Sequence, residues 1–395
     1  MDDLSEFQPF EGATNRTAIV TFQKGRATKY PVPYLYWRRR GKETIKLDDD
    51  LDTVLSKVEV KQWQARPIDP AEPQSPWLTA RPKALTAIQK AVGQSDYRAY
   101  AGSCTWANGV YWMELTGRNV SGQIIARNLN EIGKLEGIPQ MEHAIEPGLL
   151  YPLLRGRDVG RWCATPSAYL LNVQDAESRQ GIDEKVMKDR FTSAYKYLLH
   201  FRELLIKRSG FKKYFCKETG QGKKRKLEPF APFYSLYNIG EYTLSPFKVC
   251  WREQSEFFTC SVVGRAEVEG DSKAVIPDHK LMFVPVTSEA EAHYVCALLN
   301  SAVTVFLVKS YGIETQTSTH VLEHVRLPRF NAHDKQHARL SKLSQQAHEL
   351  AAKGNEKSLK KITELEAEID ALASAVWAIS DIELRDIQTS LNDLR

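Results

Sequence analysis

Most features that betray an enzyme at sight are missing from this sequence. Its six cysteines stand at 104, 163, 216, 250, 260 and 296, and no two have C-x-x-C spacing. That argues against a zinc ribbon or a disulfide scaffold and predicts reduced, mostly buried thiols. Long apolar runs are missing too. The longest, around Ala302–Val308, falls far short of the roughly 20 residues that span a bilayer. The opening Met1-Asp2-Asp3-Leu4-Ser5-Glu6 is acidic, without the apolar stretch of a signal peptide, so a cytoplasmic protein is expected. Neither sign of charge dominates, since 54 Lys and Arg stand against 49 Asp and Glu. What is present is an ordinary apolar fraction, 42% of 395 residues, enough for the cores of two or three domains.

Catalytic motifs are equally scarce. No Pro-Pro dipeptide occurs, which removes an N-P-P-Y-type motif for holding a flipped adenine amine. No Pro-Cys supplies a cytosine nucleophile, and neither a G-x-G-x-x-G nor a G-x-x-x-x-G-K-[ST] phosphate loop is found. His320/His324 and His333/His337 are i,i+4 pairs without H-E-x-x-H and read as surface or capping histidines. Pro277-Asp278 could open a nuclease site, but the acidic-x-Lys triplets Glu59-Val60-Lys61 and Asp271-Ser272-Lys273 both precede it.

The charge is unevenly placed. Residues Phe201–Lys226 carry ten Lys and Arg against two Glu, a local net of +8 that exceeds the +5 of the whole chain. Such clustering suits a polyanion-binding face, or equally a solvated loop around Gly220 and Gly222.

Periodicity gives a coarse outline. Ala18–Phe22 reads as a strand ending at the turn Lys24-Gly25, and Tyr30–Tyr34 as an extended edge segment, because each Pro removes a ladder donor. Short helices are predicted near Asp48–Val58 and Pro82–Val92. Pro67, Pro70, Pro73 and Pro76 recur between them, which favours a linker and a domain boundary there. Short strands follow over 97–175, helix over 184–214, strands again over 230–290, and a helix over Glu289–Asn300. Ile362, Leu365, Ile369, Leu372, Val376 and Ile379 then form a helical stripe, read as packing on its own domain rather than as a dimerisation coil. Ser380-Asp381-Ile382-Glu383 is a capping box that starts a last helix.

Several segments together resemble one family. Tyr151-Pro152-Leu153-Leu154-Arg155-Gly156-Arg157-Asp158-Val159-Gly160-Arg161-Trp162 resembles the "L-L-R-G-R-D" element of the TaqI-like target-recognition domain of adenine-specific DNA methyltransferases. The stretch from Phe233-Tyr234 through Tyr237-Asn238-Ile239-Gly240-Glu241-Tyr242-Thr243 to Pro246–Arg252 is similar to the same domain's "N-I-G-x-Y-T" region. Ile276–His279, Ala297–Ser301 and Leu327–Phe330 look like its finish, and Gly12–Gly25 resembles the last hairpin of the catalytic domain.

The resemblance implies an α+β chain in three parts. Residues 1–66 would be the end of a Rossmann-like methyltransferase sheet, 67–330 a mixed α/β target-recognition domain, and 331–395 a C-terminal helical hairpin. It further implies the duplex-DNA-recognition part of a restriction-modification type enzyme. The methyl-donor loop and N-P-P-[YFW] motif would lie upstream, outside the chain. No catalytic, metal or cofactor residue is therefore carried over. S-adenosylmethionine and methyl transfer to the adenine amine would belong to an upstream-encoded catalytic subunit. The alternative is a basic nucleic-acid-binding scaffold without a methylation role.

Candidate DNA contacts follow from residue chemistry. Arg155, Arg157 and Arg161 could bind phosphates or guanine edges, or Arg157 and Asp158 could organise a turn around Gly156. Lys212, Lys213, Lys223, Lys224, Arg225 and Lys226 suit phosphates. Lys248 is a further candidate on a strand, where alternation puts it opposite Trp251. Trp106 and Asn108 sit on a predicted turn, one able to stack and the other to read adenine.

Overall fold

A computed structural model of the chain describes residues 1–6, 10, 16–41, 43–220, 225–311 and 317–394. The fold is α+β. It opens with a five-stranded sheet in the order β2 (Ala18–Ile19), β1 (Asp2–Asp3), β3 (Val32–Arg39), β4 (Val58–Pro67), β5 (Trp77–Ala80). Alternation places Tyr34 and Tyr36 of β3 on one face, where both stack on Trp63 of β4, at 6.4 and 4.8 Å. The expected strand over Ala18–Phe22 is only two residues long, and Val20 and Phe22 are exposed. Residues 12–15 of the expected hairpin lie outside the described residues. Tyr30–Tyr34 leads into a strand that is not an edge, because Leu35 and Tyr36 pair with β1 on one side and β4 on the other.

The Pro-rich segment is not a linker. The polypeptide passes residue 66 inside β4 and returns as β5 in the same sheet. The N–H of Ile68, a fully buried residue, donates to the Pro76 carbonyl at 2.8 Å. The four prolines therefore shape the loop of a hairpin, and the boundary expected at 66/67 falls within one sheet. Helices α1 (Leu51–Lys57) and α2 (Pro82–Ile88) flank this hairpin close to their expected positions.

A second sheet has the order β20 (Ile276–Pro277), β10 (Leu150–Leu154), β13 (Ala168–Leu171), β7 (Trp112–Arg118), β8 (Ile124–Asn128), β9 (Glu142–Ile145). It shares a core with the one-turn helix α3 (Asn108–Tyr111) and with α4 (Glu184–Arg190), α5 (Thr192–His200), α6 (Arg202–Lys207) and α7 (Ser209–Tyr214). The helix expected over 184–214 is thus broken into four. A hairpin of β14 (Cys216–Thr219) and β15 (Lys226–Pro229) follows α7.

The third sheet, β17 (Cys260–Val263), β16 (Phe247–Arg252), β21 (Leu281–Val286), β6 (Tyr100–Ala101), is buried on both faces. Val249 and Trp251 face a core built with α8 (Glu289–Asn300), α9 (Ala302–Tyr311) and α10 (Val321–His324). Cys250 faces a smaller cluster that includes Leu154 of β10. Two short ribbons, β11 (Val159–Gly160) with β12 (Cys163–Ala164) and β18 (Arg265–Val268) with β19 (Asp271–Ala274), sit nearby. Among the described residues no single helix is long and apolar enough to cross a membrane.

The last helices, α11 (Lys335–Lys353), α12 (Glu356–Val376) and α13 (Asp381–Asp393), join the α8–α9 core instead of standing apart. Ile362, Ile369 and Ile379 of the predicted stripe are buried there. Ser380 and Glu383 form the expected capping box. At the end of α13, Asp393 accepts from Lys61 at 2.6 Å and from Arg81 at 2.5 and 2.9 Å, which ties the last helix to the first sheet. Of the cysteines, 250, 260 and 296 are buried, 104 and 216 half-buried, and 163 exposed, all of them free.

Candidate nucleic-acid interface

The site is organised from below by one buried cation. Arg208, between α6 and α7, is 4% exposed and, among the described residues, has no carboxylate beside it. Its guanidinium donates to the carbonyls of Leu205 (2.9 Å), Thr105 (2.6 Å), Phe233 (2.8 Å) and Ser235 (3.2 Å). Burial pulls its pKa below the ordinary arginine value. These bonds fix two chain segments, 103–106 and 233–237, against α7. Cys104 and Tyr237 then exchange backbone hydrogen bonds at 2.9 and 3.0 Å. Sequence reasoning counted Arg208 only as part of the basic segment. Its position beside the buried Leu205 and Phe211 was the available signal that it points inward.

An aromatic ladder stands on this base. Trp106 stacks on Tyr214 of α7 at 5.5 Å, and Tyr214 on Tyr237 at 3.9 Å. Gly210 makes the approach possible, since a Cβ there would lie 2.0 Å from the Trp106 ring. Farther along, Tyr242 stacks on Tyr100 at 4.1 Å. Arg98 lies over Tyr100 at 5.2 Å, Arg179 over Tyr242 at 5.6 Å and Lys213 over Tyr214 at 5.0 Å. Three non-glycine residues on this ridge hold left-handed backbone: Trp106 (φ 51°), Arg179 (φ 55°) and Asn238 (φ 58°). Such conformations cost of order 1 kcal/mol or more each and collect at functional surfaces. A cavity of about 230 Å³ opens between Tyr237 and Tyr242. A larger one, about 610 Å³, lies away from the ridge along β4 and α2.

The ridge is edged with outward cations. Lys212 and Lys213 on α7 and Arg225 and Lys226 on the β14–β15 hairpin are exposed. Arg225 makes a loose, exposed pair with Glu218 at 3.5 Å. Lys223 and Lys224 lie outside the described residues. Of the eight described cations of the basic segment, Arg208 alone is buried and seven are exposed.

Other expected contacts are turned inward. Arg155 is 6% exposed and donates through Nε to the Ser167 hydroxyl at 2.9 Å. Asp158 accepts from the Arg155 backbone N–H at 2.8 Å and from the Ser167 hydroxyl at 2.6 Å. The turn around Gly156 is thus organised by Arg155 with Asp158, whereas Arg157 is exposed. Arg161 pairs with Glu366 of α12 and donates to the Asn300 carbonyl at 2.9 Å. Lys248 is 1% exposed and donates to the Ser245 carbonyl at 2.6 Å, and burial pushes its pKa down to about 8. It cannot reach a phosphate from there. Asn108 accepts from the Thr105 hydroxyl at 2.6 Å and so holds the Trp106 turn rather than facing outward to a base. Asp278 supports the Arg155–Asp158 turn from beneath, and burial raises its pKa to about 6. Among the described residues no group of three or more His, Cys, Asp or Glu could hold a metal.

The comparisons with known proteins add little to this geometry. No protein-family profile and no curated protein matches the chain. Among solved structures, a Type IIL restriction-modification enzyme, MmeI, in complex with DNA is similar at a TM-score of 0.45 and 10% identity. The match covers 93% of this chain and 41% of that one, so the chain spans about two fifths of that enzyme's length.

Proposed function

We propose that the chain is a duplex-DNA-recognition module acting for an adenine-modifying methyltransferase. The observation that carries this reading is the ridge itself, where outward lysines and arginines edge a ladder of stacked aromatics. Phosphates supply affinity through the cations, and the ladder offers flat surfaces to bases or sugars. The "N-I-G-x-Y-T" resemblance falls on this ridge, at Asn238 to Thr243.

Methyl transfer needs S-adenosylmethionine and a pocket for the target adenine. The residues present do not fit the cofactor. The long strands of the first sheet are antiparallel, and no glycine-rich turn follows a parallel strand into a helix among the described residues. A separate catalytic subunit would supply both, and no catalytic step is assigned to this chain.

The test is a duplex-binding titration at rising salt. Four ridge cations on phosphates give a log–log slope of about −3 or steeper. A flat salt dependence, or preference for single-stranded RNA, would overturn the reading in favour of a scaffold. Co-purification with a methyltransferase core that lacks its own recognition region tests the partner.

A further inference from the structure

A cavity lies between the two halves of the aromatic ladder. It is lined by Tyr214, Phe215, Phe230, Tyr237 and Tyr242, with Arg179, Gln180 and Asn238 among its polar residues. Its volume, about 230 Å³, is below the roughly 300 Å³ at which drug-sized or cofactor sites begin, and suits one planar heterocycle. Arg179, Gln180 and Asn238 have no side-chain hydrogen bond to any described residue. Two of the three hold left-handed backbone.

The walls are set in advance. Tyr242 is held by Tyr100, and Tyr237 by Tyr214. Gly240 lets the Tyr242 ring and Arg179 close in, since a Cβ there would lie 2.8 Å from the ring and 3.3 Å from the Arg179 Nε. The opening lies on the same ridge as Lys213, whose ammonium sits over Tyr214.

We propose that this cavity receives one nucleobase of the bound DNA, displaced from the helix stack. The base lies against the tyrosine rings, and its hydrogen-bonding edge meets the Arg179 guanidinium and the Gln180 and Asn238 amides. The inference rests on the DNA-binding reading above. It concerns a base held by the recognition module, distinct from the adenine that would be methylated.

The experiment compares the full chain on three duplexes of one mixed sequence. One is fully paired, one carries a single bulged nucleotide, and one carries the same bulge without its base. A bulge removes the cost of unpairing, and the abasic version keeps the bend but not the ring. The base-bearing bulge is expected to bind roughly tenfold tighter than the abasic one. In Arg179→Gly and Tyr242→Leu that ratio falls towards one. The glycine variant suits the left-handed backbone at 179, so it tests the guanidinium without a folding cost. Equal affinity for both bulges in the unaltered chain overturns the pocket and leaves DNA binding standing, as does a ratio that neither variant changes. Failure to bind any of the three duplexes at low salt overturns DNA binding, and the pocket with it.

Discussion

The turn at Arg155–Arg161 and the segment from α7 through the β14–β15 hairpin are both arginine- or lysine-rich, yet they use their charge in opposite directions. In the turn, two of three arginines are tied to other parts of the protein, the buried Arg155 to Ser167 and Asp158, and the half-buried Arg161 to Glu366 and the Asn300 carbonyl. In α7 and the hairpin, Lys212, Lys213, Arg225 and Lys226 stay exposed. The difference lies in the neighbours. A cation folds inward where an acid and a hydroxyl are fixed within reach, because an unpaired buried charge is costly. Where the helix and the hairpin offer aromatic rims, other cations and only an exposed acid such as Glu218, the cation stays in water. Arg208 marks the border case, a buried cation satisfied by carbonyls alone.

Four variants probe the contrast. The largest effect is expected from Asp158→Ala. It strips the buried Arg155 of its nearby carboxylate and should cost about 3–5 kcal/mol of stability, read from denaturant unfolding. A loss below about 1 kcal/mol would mean that the turn is not held by this pair. Next is Gly210→Ala. In an open helix this change gains about 1 kcal/mol, but here the new methyl meets the Trp106 ring at 2.0 Å. The ring must leave its stack, so the expected net is a loss of about 1–3 kcal/mol together with weaker duplex binding. A more stable protein with unchanged binding would show that the ladder is not needed. The smallest stability change belongs to Lys212→Ala with Lys213→Ala, within about 0.5 kcal/mol. That pair should make the log–log salt slope of DNA binding shallower by about 2. Arg157→Ala serves as its partner measurement. The side chain is 72% exposed, so stability should again hold, and the slope should change by at most about 1. A larger change there would move the interface towards the turn.

Much of the secondary structure was legible, because it rests on local signals. The α8 helix, the capping box at Ser380 and the buried stripe of α12 follow from spacing that no tertiary contact overrides. The Pro-rich loop was misread, because prolines at a regular interval look alike in a linker and in a tight hairpin. What separates them is Ile68, whose burial depends on distant residues. Lys248 was misread for a related reason. Alternation correctly set it opposite Trp251, but nothing local reveals that both faces of that strand are covered. On the ridge, Trp106, Lys212 and Lys213 could be named from residue type alone. Tyr214, Tyr237, Tyr242 and Arg179 could not be grouped, because contacts from three separate segments bring them together.

The bonds from Asp393 to Lys61 and Arg81 bear on how the molecule comes apart. Met1 and Leu394 both pack against the tyrosine–tryptophan cluster of the first sheet. The β1 strand and the end of α13 therefore share one cluster, and loosening either exposes the other. Local opening, measured by amide exchange, should start elsewhere, at exposed loops that no such clasp restrains.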